Sequence, residues 1–408
     1  MRILIYGINF APEITGCGKY TGELAEQLMK RGHEVSVVTA PPYYPAWVVP
    51  QAWRGKAWSR DVDCRVWRCP IWVPQAPSGL KRIIHLMSFA LSSFPIMLAR
   101  LRDKPDVIWC VQPTFFTAPT TLLVAKLSGA KSWLHIQDYE IDAAYDLGLI
   151  KGRYLRRFVR FTESAIMRAF DRVSSISGKM MERALFKGVD PSRLLALPNW
   201  VDAYEIRPQK SSYREKLGIA ADVKVALYSG NMGTKQGLEI LVELARRLRE
   251  YSHLTFVYCG NGPGKDELED RCAGLSNVQF LDLQPKEQLS DLLALADIHL
   301  LPQRADAADL VMPSKLTGMM ASGKPVVVTA ANDTELQQVV ALRAECGLVV
   351  APGDPQAFAD AVLFLANSDD LRDRLGSNGR RYAETELHCD EIIGRFEQQL
   401  LQLVGSGR

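Results

Sequence analysis

Short apolar stretches separated by helical segments form two successive runs along the chain, and each run has the pattern of a parallel sheet. In the first run the apolar stretches lie at 2–7, 34–39, 106–111, 131–137 and 172–177. The second run has them at 223–230, 254–260, 277–283, 297–302 and 325–329. Strands that are apolar on both faces indicate a sheet that helices cover on each side. The sequence therefore predicts an α/β fold with two doubly wound, Rossmann-like domains that face each other across a cleft.

The boundary between the two runs is a proline-marked segment without hydrophobic periodicity, from Pro198 to about Pro208. We expect a hinge near 200–210, a first domain over 1–203 and a second domain over 204–389. A last helix over 390–404 is a candidate to pack back on the first domain. The 408 residues, 47% of them apolar, are enough to form two hydrophobic cores.

Composition excludes several classes of protein. A net charge of +3 gives no broad basic field, so we expect no nucleic-acid partner. The eight cysteines lack CxxC spacing and are expected to be reduced thiols in a cytoplasmic protein without a signal peptide. Asp61 and Asp63 form a DxD pair, but the irregular segment around them does not favour a metal site. The sequence predicts no bound metal and no cofactor.

Three loops at strand ends of the second domain have the features of a diphosphate site. Ser314 and Lys315 open a helix with a hydroxyl, a cation and unpaired backbone N–H groups, which together suit a pyrophosphate. The other two loops contribute Gly230, Asn231, Gly233 and Lys235, and Gly260 with Gly262. Each loop alone could be an ordinary turn or a well-capped helix. Together they predict a nucleotide site, because ligands of doubly wound sheets bind beyond the carboxyl ends of the strands.

The first domain has its own candidates after strands. Gly16 and Gly18 would let the backbone approach a ligand at a helix N-terminus, and we assign them to donor binding, with a structural turn as the alternative. Asp138 and the adjacent Gln137 follow the strand at 131–137 and are the candidate catalytic residues. The alternative for Asp138, Glu140 and Asp142 is a solvated loop whose acids cap a helix.

Two segments suggest contact with a membrane surface. Residues 83–99 contain no charged side chain, and a narrow polar stripe at 81, 85, 88 and 92 fits either a buried helix or one in the membrane interface. A second helix is rich in basic residues, which we predict to contact an anionic membrane or the acceptor: Lys151, Arg153, Arg156, Arg157 and Arg160. The alternative is a core helix and a solvated basic face.

Taken together, the motifs at 11–45, 135–140, 229–239 and 313–329 resemble those of GT-B glycosyltransferases of family 4, over nearly the whole chain. The resemblance implies a retaining, metal-independent transferase that binds a GDP- or UDP-linked sugar in the second domain. It implies an undecaprenyl-diphosphate-linked sugar as acceptor, at the cytoplasmic face of the membrane, in exopolysaccharide assembly such as that of colanic acid. For the members that it most resembles, the presumed donor is GDP-fucose.

The chain departs from the family pattern at four positions. The two glutamates usual before the Gly-Lys-Pro turn would fall at Leu310 and Gly318, so neither acid is present. Asn231 replaces an arginine that is usual in its loop, and Gln137 stands where many members have a histidine. Two functions other than transfer stay open, the first because of the shared fold and the second because of the missing glutamates. One is a sugar-nucleotide 2-epimerase of the same fold, and the other is a non-catalytic nucleotide-binding partner of a glycosyltransferase complex.

Overall fold

A computed structural model describes residues 1–13, 16–55, 58–61, 65–75, 79–112, 115–139, 152–233, 236–304 and 313–405 of the chain. Packing divides it into two compact units. The first unit is Met1–Pro198 with Ile393–Arg408, and the second is Asn199–Ile392. The division therefore lies five residues before the boundary expected from sequence, and the last residues of the chain belong to the first unit.

The first unit contains an eight-stranded sheet in the order β3-β4-β2-β1-β5-β6-β7-β8. Its strands are β1 Arg2–Tyr6, β2 Glu34–Thr39, β3 Ser59–Arg60, β4 Val66–Arg68, β5 Val107–Gln112, β6 Lys131–Ile136, β7 Arg172–Ser175 and β8 Leu194–Ala196. Its helices are α1 Gly16–Lys30, α2 Gly79–Ala99, α3 Ala118–Ser128, α4 Arg153–Ala169 and α5 Gly178–Phe186. All pairs are parallel except β3 with β4. The β1–β5 pairing brings the loops that follow both strands to one edge of the sheet.

The second unit contains a six-stranded parallel sheet in the order β11-β10-β9-β12-β13-β14. Its strands are β9 Lys224–Ser229, β10 Leu254–Cys259, β11 Val278–Leu281, β12 Ile298–Leu301, β13 Val326–Thr329 and β14 Gly347–Val350. Its helices are α6 Tyr213–Lys216, α7 Glu239–Arg247, α8 Lys265–Cys272, α9 Leu289–Ala294, α10 Lys315–Ala321, α11 Glu335–Gln337, α12 Pro355–Ala366 and α13 Asp369–Thr385. The central strands β10, β12 and β13 are buried along their whole length, and β9 is buried after its first residue, as their apolar sequences predict.

The last helix, α14, extends over Cys389–Gly405. Within the first unit its Phe396 packs on Trp133 and Trp109, with ring centroids 4.8 and 5.8 Å apart. Glu397 pairs with His33 at 2.7 Å and with Arg31 at 3.1 Å. The end of the chain thus covers the two buried tryptophans of the first sheet.

Helix α2 has the polarity of its faces reversed from what a solvated helix would show. Of the polar stripe expected from sequence, Lys81 is exposed, but the other three side chains bond to the segment at 70–72. His85 Nδ1 lies 2.6 Å from the Trp72 carbonyl, Ser88 accepts from the Trp72 N–H at 3.0 Å, and Ser92 donates to the Pro70 carbonyl. The outward stripe is apolar and consists of Leu80, Ile84, Met87, Leu91 and Phe94. The helical stretch Gly79–Asp103 is long and apolar enough to cross a membrane. Length and composition alone do not distinguish such a helix from the core helix of a soluble protein.

Candidate active site

At the carboxyl edge of the second sheet, the loops after β9 and β10 are in direct backbone contact. The carbonyl oxygen of Gly230 lies 1.9 Å from where a Cβ of residue 260 would be, so only glycine can occupy this position. Gly230 donates to Cys259 O at 2.9 Å and Met232 donates to Asn261 O at 2.9 Å. These bonds make the two loops one rigid structure.

The same bonds limit what the loops can offer a ligand. The sequence suggested that their N–H groups could hold phosphate oxygens, but several of these groups already donate within the protein. Gly260 N donates to Leu281 O at 3.0 Å, and Gly262 N to the Asn261 side chain at 2.8 Å. The N–H groups of Gly230 and Met232 are used as described above. Cationic side chains must therefore supply more of any phosphate binding here than the sequence indicated.

Lys315, the first residue of α10, brings a cation to this edge. Its Nζ donates to Tyr228 Oη at 3.0 Å and lies 4.5 Å from the centre of the Tyr228 ring. The Tyr228 hydroxyl in turn donates to the Asn231 carbonyl at 2.7 Å. A Cβ at Gly230 would lie 2.4 Å from Lys315 Cε. Burial lowers the pKa of Lys315 to about 8, because the ammonium has lost most of its hydration.

The other donor-site candidates have mixed outcomes. Ser314 stands at the N-cap of α10, but its side chain makes no capping hydrogen bond, so the expected capping hydroxyl is not formed. Asn231 is exposed, and its side-chain amide lies over Gly262 and Gly233. A Cβ added at Gly262 would lie 2.7 Å from Asn231 Oδ1, and one added at Gly233 would lie 3.2 Å from Asn231 Nδ2. Lys235 lies outside the described residues, as does Leu310.

Gly318, the position at which the family commonly has its second glutamate, faces apolar side chains. A Cβ there would lie 3.2 Å from Leu293 Cδ1 and 3.6 Å from Ile206 Cδ1. This part of α10 packs into a core cluster that includes both of these residues. The surroundings of residue 318 are therefore apolar.

The first unit has a buried acid at the corresponding edge of its sheet. Glu13, only 6% exposed, accepts hydrogen bonds from the backbone of Tyr43 and Tyr44, both at 3.0 Å, and from the Asn9 amide at 2.9 Å. Burial raises the pKa of Glu13, and these hydrogen bonds oppose the rise. Glu13 thus ties the loop after β1 to the loop after β2, a role that sequence analysis missed.

Glu13 also explains one of the glycines assigned to donor binding. An added Cβ at Gly18 would lie 2.5 Å from Glu13 Oε2 and 2.6 Å from its Cβ, so Gly18 makes room for this acid. Gly16 is the first residue of α1 and lies beneath the Tyr44 ring. A Cβ added at Gly16 would lie 3.6 Å from Tyr44 Cε1. The space at Gly18 is therefore occupied by protein.

Gln137 and Asp138, the candidate catalytic residues, differ in their surroundings. The Gln137 amide nitrogen lies 2.9 Å from Nε2 of His135, whose Nδ1 lies 2.9 Å from Ser174 Oγ. Burial lowers the pKa of His135 to about 3, so the ring is neutral and one ring nitrogen can accept the amide hydrogen. This side of Gln137 is engaged with the core. Asp138 is half-buried.

The charge of Asp138 contributes to the electrostatic surroundings of the Tyr44 phenol. Burial raises the pKa of Tyr44, and Cys17, Glu13 and Asp138 add to the rise while Arg82 opposes it. Tyr44 is 38% exposed. The loop after β2 thus presents an exposed aromatic ring, which suits contact with a sugar.

The DxD pair is only partly described. Asp61 forms an ion pair with the buried Arg68 at 3.0 Å, and Asp63 lies outside the described residues. Arg68 also donates to the Ala11 carbonyl at 2.7 Å, so Asp61 belongs to a structural network. In the described segments of the chain, no group of three or more His, Cys, Asp or Glu side chains is arranged to hold a metal.

Helix α4 carries the arginines assigned to the membrane or acceptor. Arg153, Arg156, Arg157 and Arg160 are all exposed. So are aromatic residues of the same turns: Tyr154 is 88% exposed, and Phe158 and Phe161 are each 66% exposed. Lys151 and the residues at 140–150 lie outside the described part of the chain. The helix therefore presents arginines and aromatic rings together.

The chain has two α/β units, each with a largely parallel sheet, and glycine-containing loops at the carboxyl ends of the strands. This is the architecture of GT-B glycosyltransferases. The glycosyl transferase 4-like domain family matches residues 15–200, and the family of glycosyl transferases group 1 matches residues 209–382. The chain is 43% identical, over 97% of its length and 98% of the relative's, to the putative colanic acid biosynthesis glycosyl transferase WcaI of Escherichia coli K12. It belongs to this family 4 of GT-B glycosyltransferases.

Solved structures agree on the fold. The sucrose-phosphate synthase of Thermosynechococcus elongatus superposes with a TM-score of 0.76 at 18% identity, with 99% of both chains covered. HepE of Anabaena, crystallised with UDP-glucose, superposes with a TM-score of 0.68 at 15% identity over the full length of both chains. At these identities the likeness shows the GT-B fold alone.

Glu13→Ala is expected to loosen the loop that contains Tyr43 and Tyr44. Glu13 Oε1 accepts both backbone N–H groups, so removing the carboxylate leaves both without this partner, at a cost of about 1–3 kcal/mol each. Thermal unfolding of the first unit should occur at lower temperature, and the amides of Tyr43 and Tyr44 should exchange hydrogen faster. Glu26→Ala, in an exposed pair with Lys30, is the control. Equal stability and exchange in both variants would contradict the assigned role of Glu13.

Proposed function

We propose that this chain is a retaining, metal-independent hexosyltransferase. In this proposal it moves a sugar, with fucose as the first candidate, from a GDP- or UDP-linked donor to an undecaprenyl-diphosphate-linked sugar. The process would be the assembly of an exopolysaccharide such as colanic acid, which the name of the 43% identical relative mentions. The observation that carries the donor part is Lys315, held by Tyr228 against the glycine loops at the carboxyl edge of the second sheet.

Donor binding would depend mainly on charge. A nucleoside diphosphate at this edge would meet the ammonium of Lys315 where backbone N–H groups are already engaged. Lys235 and the N-terminal end of α10 would add to the positive potential. HepE of Anabaena was crystallised with UDP-glucose, a donor of the class we propose here.

The chemistry would need few side chains. Departure of the diphosphate leaves positive charge on the sugar and negative charge on the leaving group. A cation fixed in advance beside the leaving phosphate stabilises that charge separation more than it stabilises the intact donor. The acceptor hydroxyl would attack from the face that the leaving group vacates, and Asp138 is our candidate to orient it. Its neighbour Gln137 would act through the position of Asp138, since the Gln137 amide contacts His135.

The non-catalytic alternative has one observation in its favour. Gly318 stands where the family usually has a glutamate, and the described side chains that a Cβ there would meet, Leu293 and Ile206, are apolar. A partner subunit of this kind would bind nucleotide but would not turn over any acceptor. The 2-epimerase alternative would act on a nucleotide sugar without acceptor, so a panel of donors incubated alone separates it from transfer.

Lys315→Ala is expected to weaken binding of GDP and UDP at pH 7 by about tenfold or more. The reason is that a hydrogen bond to a charged group contributes roughly 1.5–3 kcal/mol. Isothermal titration calorimetry with both nucleotides measures the effect and identifies the preferred base. Lys286→Ala, which removes an exposed lysine paired with Glu205 in the same unit, is the control. Affinity unchanged by Lys315→Ala would exclude this residue from the donor site.

Transfer activity should survive chelation. If Lys315 and Lys235 balance the diphosphate charge, EDTA should leave the rate of transfer from GDP-fucose or a UDP-sugar to a lipid-linked acceptor nearly unchanged. The measurement is product formation by mass spectrometry, with the configuration of the new bond determined by NMR. A transfer rate that is lost in EDTA and restored by Mg²⁺ or Mn²⁺ would contradict metal independence and make Asp61 and Asp63 candidate metal ligands again. Inversion of configuration would contradict the retaining mechanism.

The lipid-linked acceptor requires the chain to reach a membrane, and α4 is the candidate contact. Its exposed arginines would attract anionic headgroups, and Tyr154, Phe158 and Phe161, spaced by four and three residues, would enter the interface. The exposed apolar stripe of α2 could add burial in the same unit. We propose peripheral association with the cytoplasmic face of the membrane through this surface.

Arg156→Glu together with Arg157→Glu should weaken binding to anionic liposomes. Each basic residue near an anionic surface contributes about 1 kcal/mol, so reversing two charges should reduce the bound fraction strongly, and high salt should do the same. Arg246→Glu with Arg247→Glu is a matched control, because these two exposed arginines also lie next to each other on a helix. Sedimentation with vesicles of increasing phosphatidylglycerol content measures the effect. A wild type that ignores anionic vesicles at low salt would return α4 to an ordinary solvated helix.

A further inference from the structure

Tyr228 is a buried tyrosine whose hydroxyl both donates and accepts a hydrogen bond. It is fully buried in the middle of the second sheet, on β9. Its hydroxyl donates to the Asn231 carbonyl at 2.7 Å and accepts from the Lys315 ammonium at 3.0 Å. The lysine therefore approaches the glycine loop through a phenol that is itself fixed by that loop.

The packing leaves Lys315 little choice of position. Its Cε and Nζ lie 2.4 and 2.8 Å from where a Cβ of residue 230 would be, so the chain runs across the face of Gly230. The ammonium lies 4.5 Å from the Tyr228 ring centre, which adds a cation–π contact to the hydrogen bond. Without the phenol, the long lysine side chain would have other rotamers available and would lose this alignment.

We propose that Tyr228 is a positioning residue that holds the Lys315 amine at the donor site, and that binding of a nucleoside diphosphate there takes up a proton onto this amine. This inference rests on the proposed donor site. In the coupled step, a solvent proton forms the fourth bond of the lysine nitrogen, and the resulting ammonium faces the phosphate oxygens. No other reactant is required.

The charge environment supports a partly deprotonated amine in the free protein. Burial lowers the pKa of Lys315 to about 8, so near pH 8 about half of the molecules carry a neutral amine. The titratable group of β9 that contacts the Lys315 amine is the Tyr228 phenol. Burial raises the pKa of this phenol, so it stays protonated. Among the described residues, Lys315 has no carboxylate partner. Arg304, beside Gly237, and the Lys265–Asp282 pair are further charged groups at strand ends of this sheet.

The pH dependence follows from this pKa. A bound diphosphate favours the ammonium, so the pKa of Lys315 is higher in the complex than in the free protein. Affinity should be constant below about pH 8, where the amine is already charged, and should fall as pH rises above it. The phosphate itself loses its last proton near pH 6, so it does not obscure this range.

The chain offers a closely matched control in Tyr258. It pairs with Tyr228 in register on the neighbouring strand β10, is fully buried, and donates its hydroxyl to the Leu241 carbonyl at 2.8 Å. Because that hydroxyl bonds to α7, Tyr258→Phe removes one buried hydrogen bond from the same sheet while the bond between Lys315 and Tyr228 stays. Comparison of the two Tyr→Phe variants therefore separates positioning of the lysine from general loss of a core hydrogen bond.

The test is calorimetric titration of the full chain with GDP and UDP between pH 7 and 9.5, in buffers of different ionisation enthalpy. We expect Tyr228→Phe to weaken binding about tenfold, and Tyr258→Phe to change it less than twofold. The wild type should take up about half a proton near pH 8, as its Lys315 pKa implies. Lys315→Arg should take up none, because arginine stays charged. In Tyr228→Phe the fall in affinity should begin at lower pH, since the ammonium has lost an acceptor.

The outcomes are distinguishable. If the wild type binds neither nucleotide, the proposed donor site and this inference both fail. If the wild type binds but Tyr228→Phe behaves as Tyr258→Phe does, only the role of Tyr228 is overturned. If circular dichroism shows that Tyr228→Phe is unfolded, the inference is tested by the number of protons taken up on nucleotide binding by the wild type and by Lys315→Arg. Equal proton uptake in these two proteins overturns the inference.

Discussion

The contact between the backbones of Gly230 and Gly260 is the constraint on which the rest of the candidate donor site depends. Because the Gly230 carbonyl occupies the place of a side chain at 260, the loops after β9 and β10 are locked together. Locking uses up N–H groups that a loose glycine loop would offer to phosphate. It also leaves the face of Gly230 open for the Lys315 side chain. The site therefore offers a ligand one aligned cation in place of several neutral backbone donors. A hydrogen bond from a cation to a charged phosphate is stronger than one from a neutral N–H group.

Both units fix their strand-end loops with one buried polar side chain. In the second unit this is Tyr228, which joins the loop at Asn231 to the start of α10. In the first unit it is Glu13, which joins the loop after β1 to the backbone of Tyr43 and Tyr44. Each is desolvated and hydrogen-bonded, as buried polar groups usually are, and each has more than one partner. Positions of exposed groups such as Tyr44 thus follow from buried ones.

The regular part of the fold could be predicted from sequence, because it depends on local periodicity. Strand β2 agrees residue for residue with its prediction, and the central strands of both sheets differ only at their ends. Four strands at the sheet edges or next to them were missed: β3, β4 and β8, of two or three residues, are too short to show a pattern, and the four-residue β14 was missed as well. Lys315 could be assigned from the helix start that it opens. Tyr228 could not, because its role arises from the meeting of β9 and α10, 87 residues apart along the chain. For the same reason the bonds of three polar α2 side chains to residues 70–72 had no local signal.

The lowered pKa of Lys315 links the free protein's stability to its proposed ligand. A lysine whose pKa falls from 10.5 to about 8 on folding destabilises the folded state below pH 8, where its ammonium is desolvated. This penalty diminishes as pH rises from about 8 toward 10.5, where the unfolded lysine also loses its proton. The Tyr228 hydroxyl offsets only part of it, since one neutral acceptor replaces a full hydration shell. A diphosphate would restore the missing negative partner, so ligand binding and relief of this local instability would be the same event. A residue that costs stability in the free protein is what a binding site, rather than a purely structural contact, would be expected to retain.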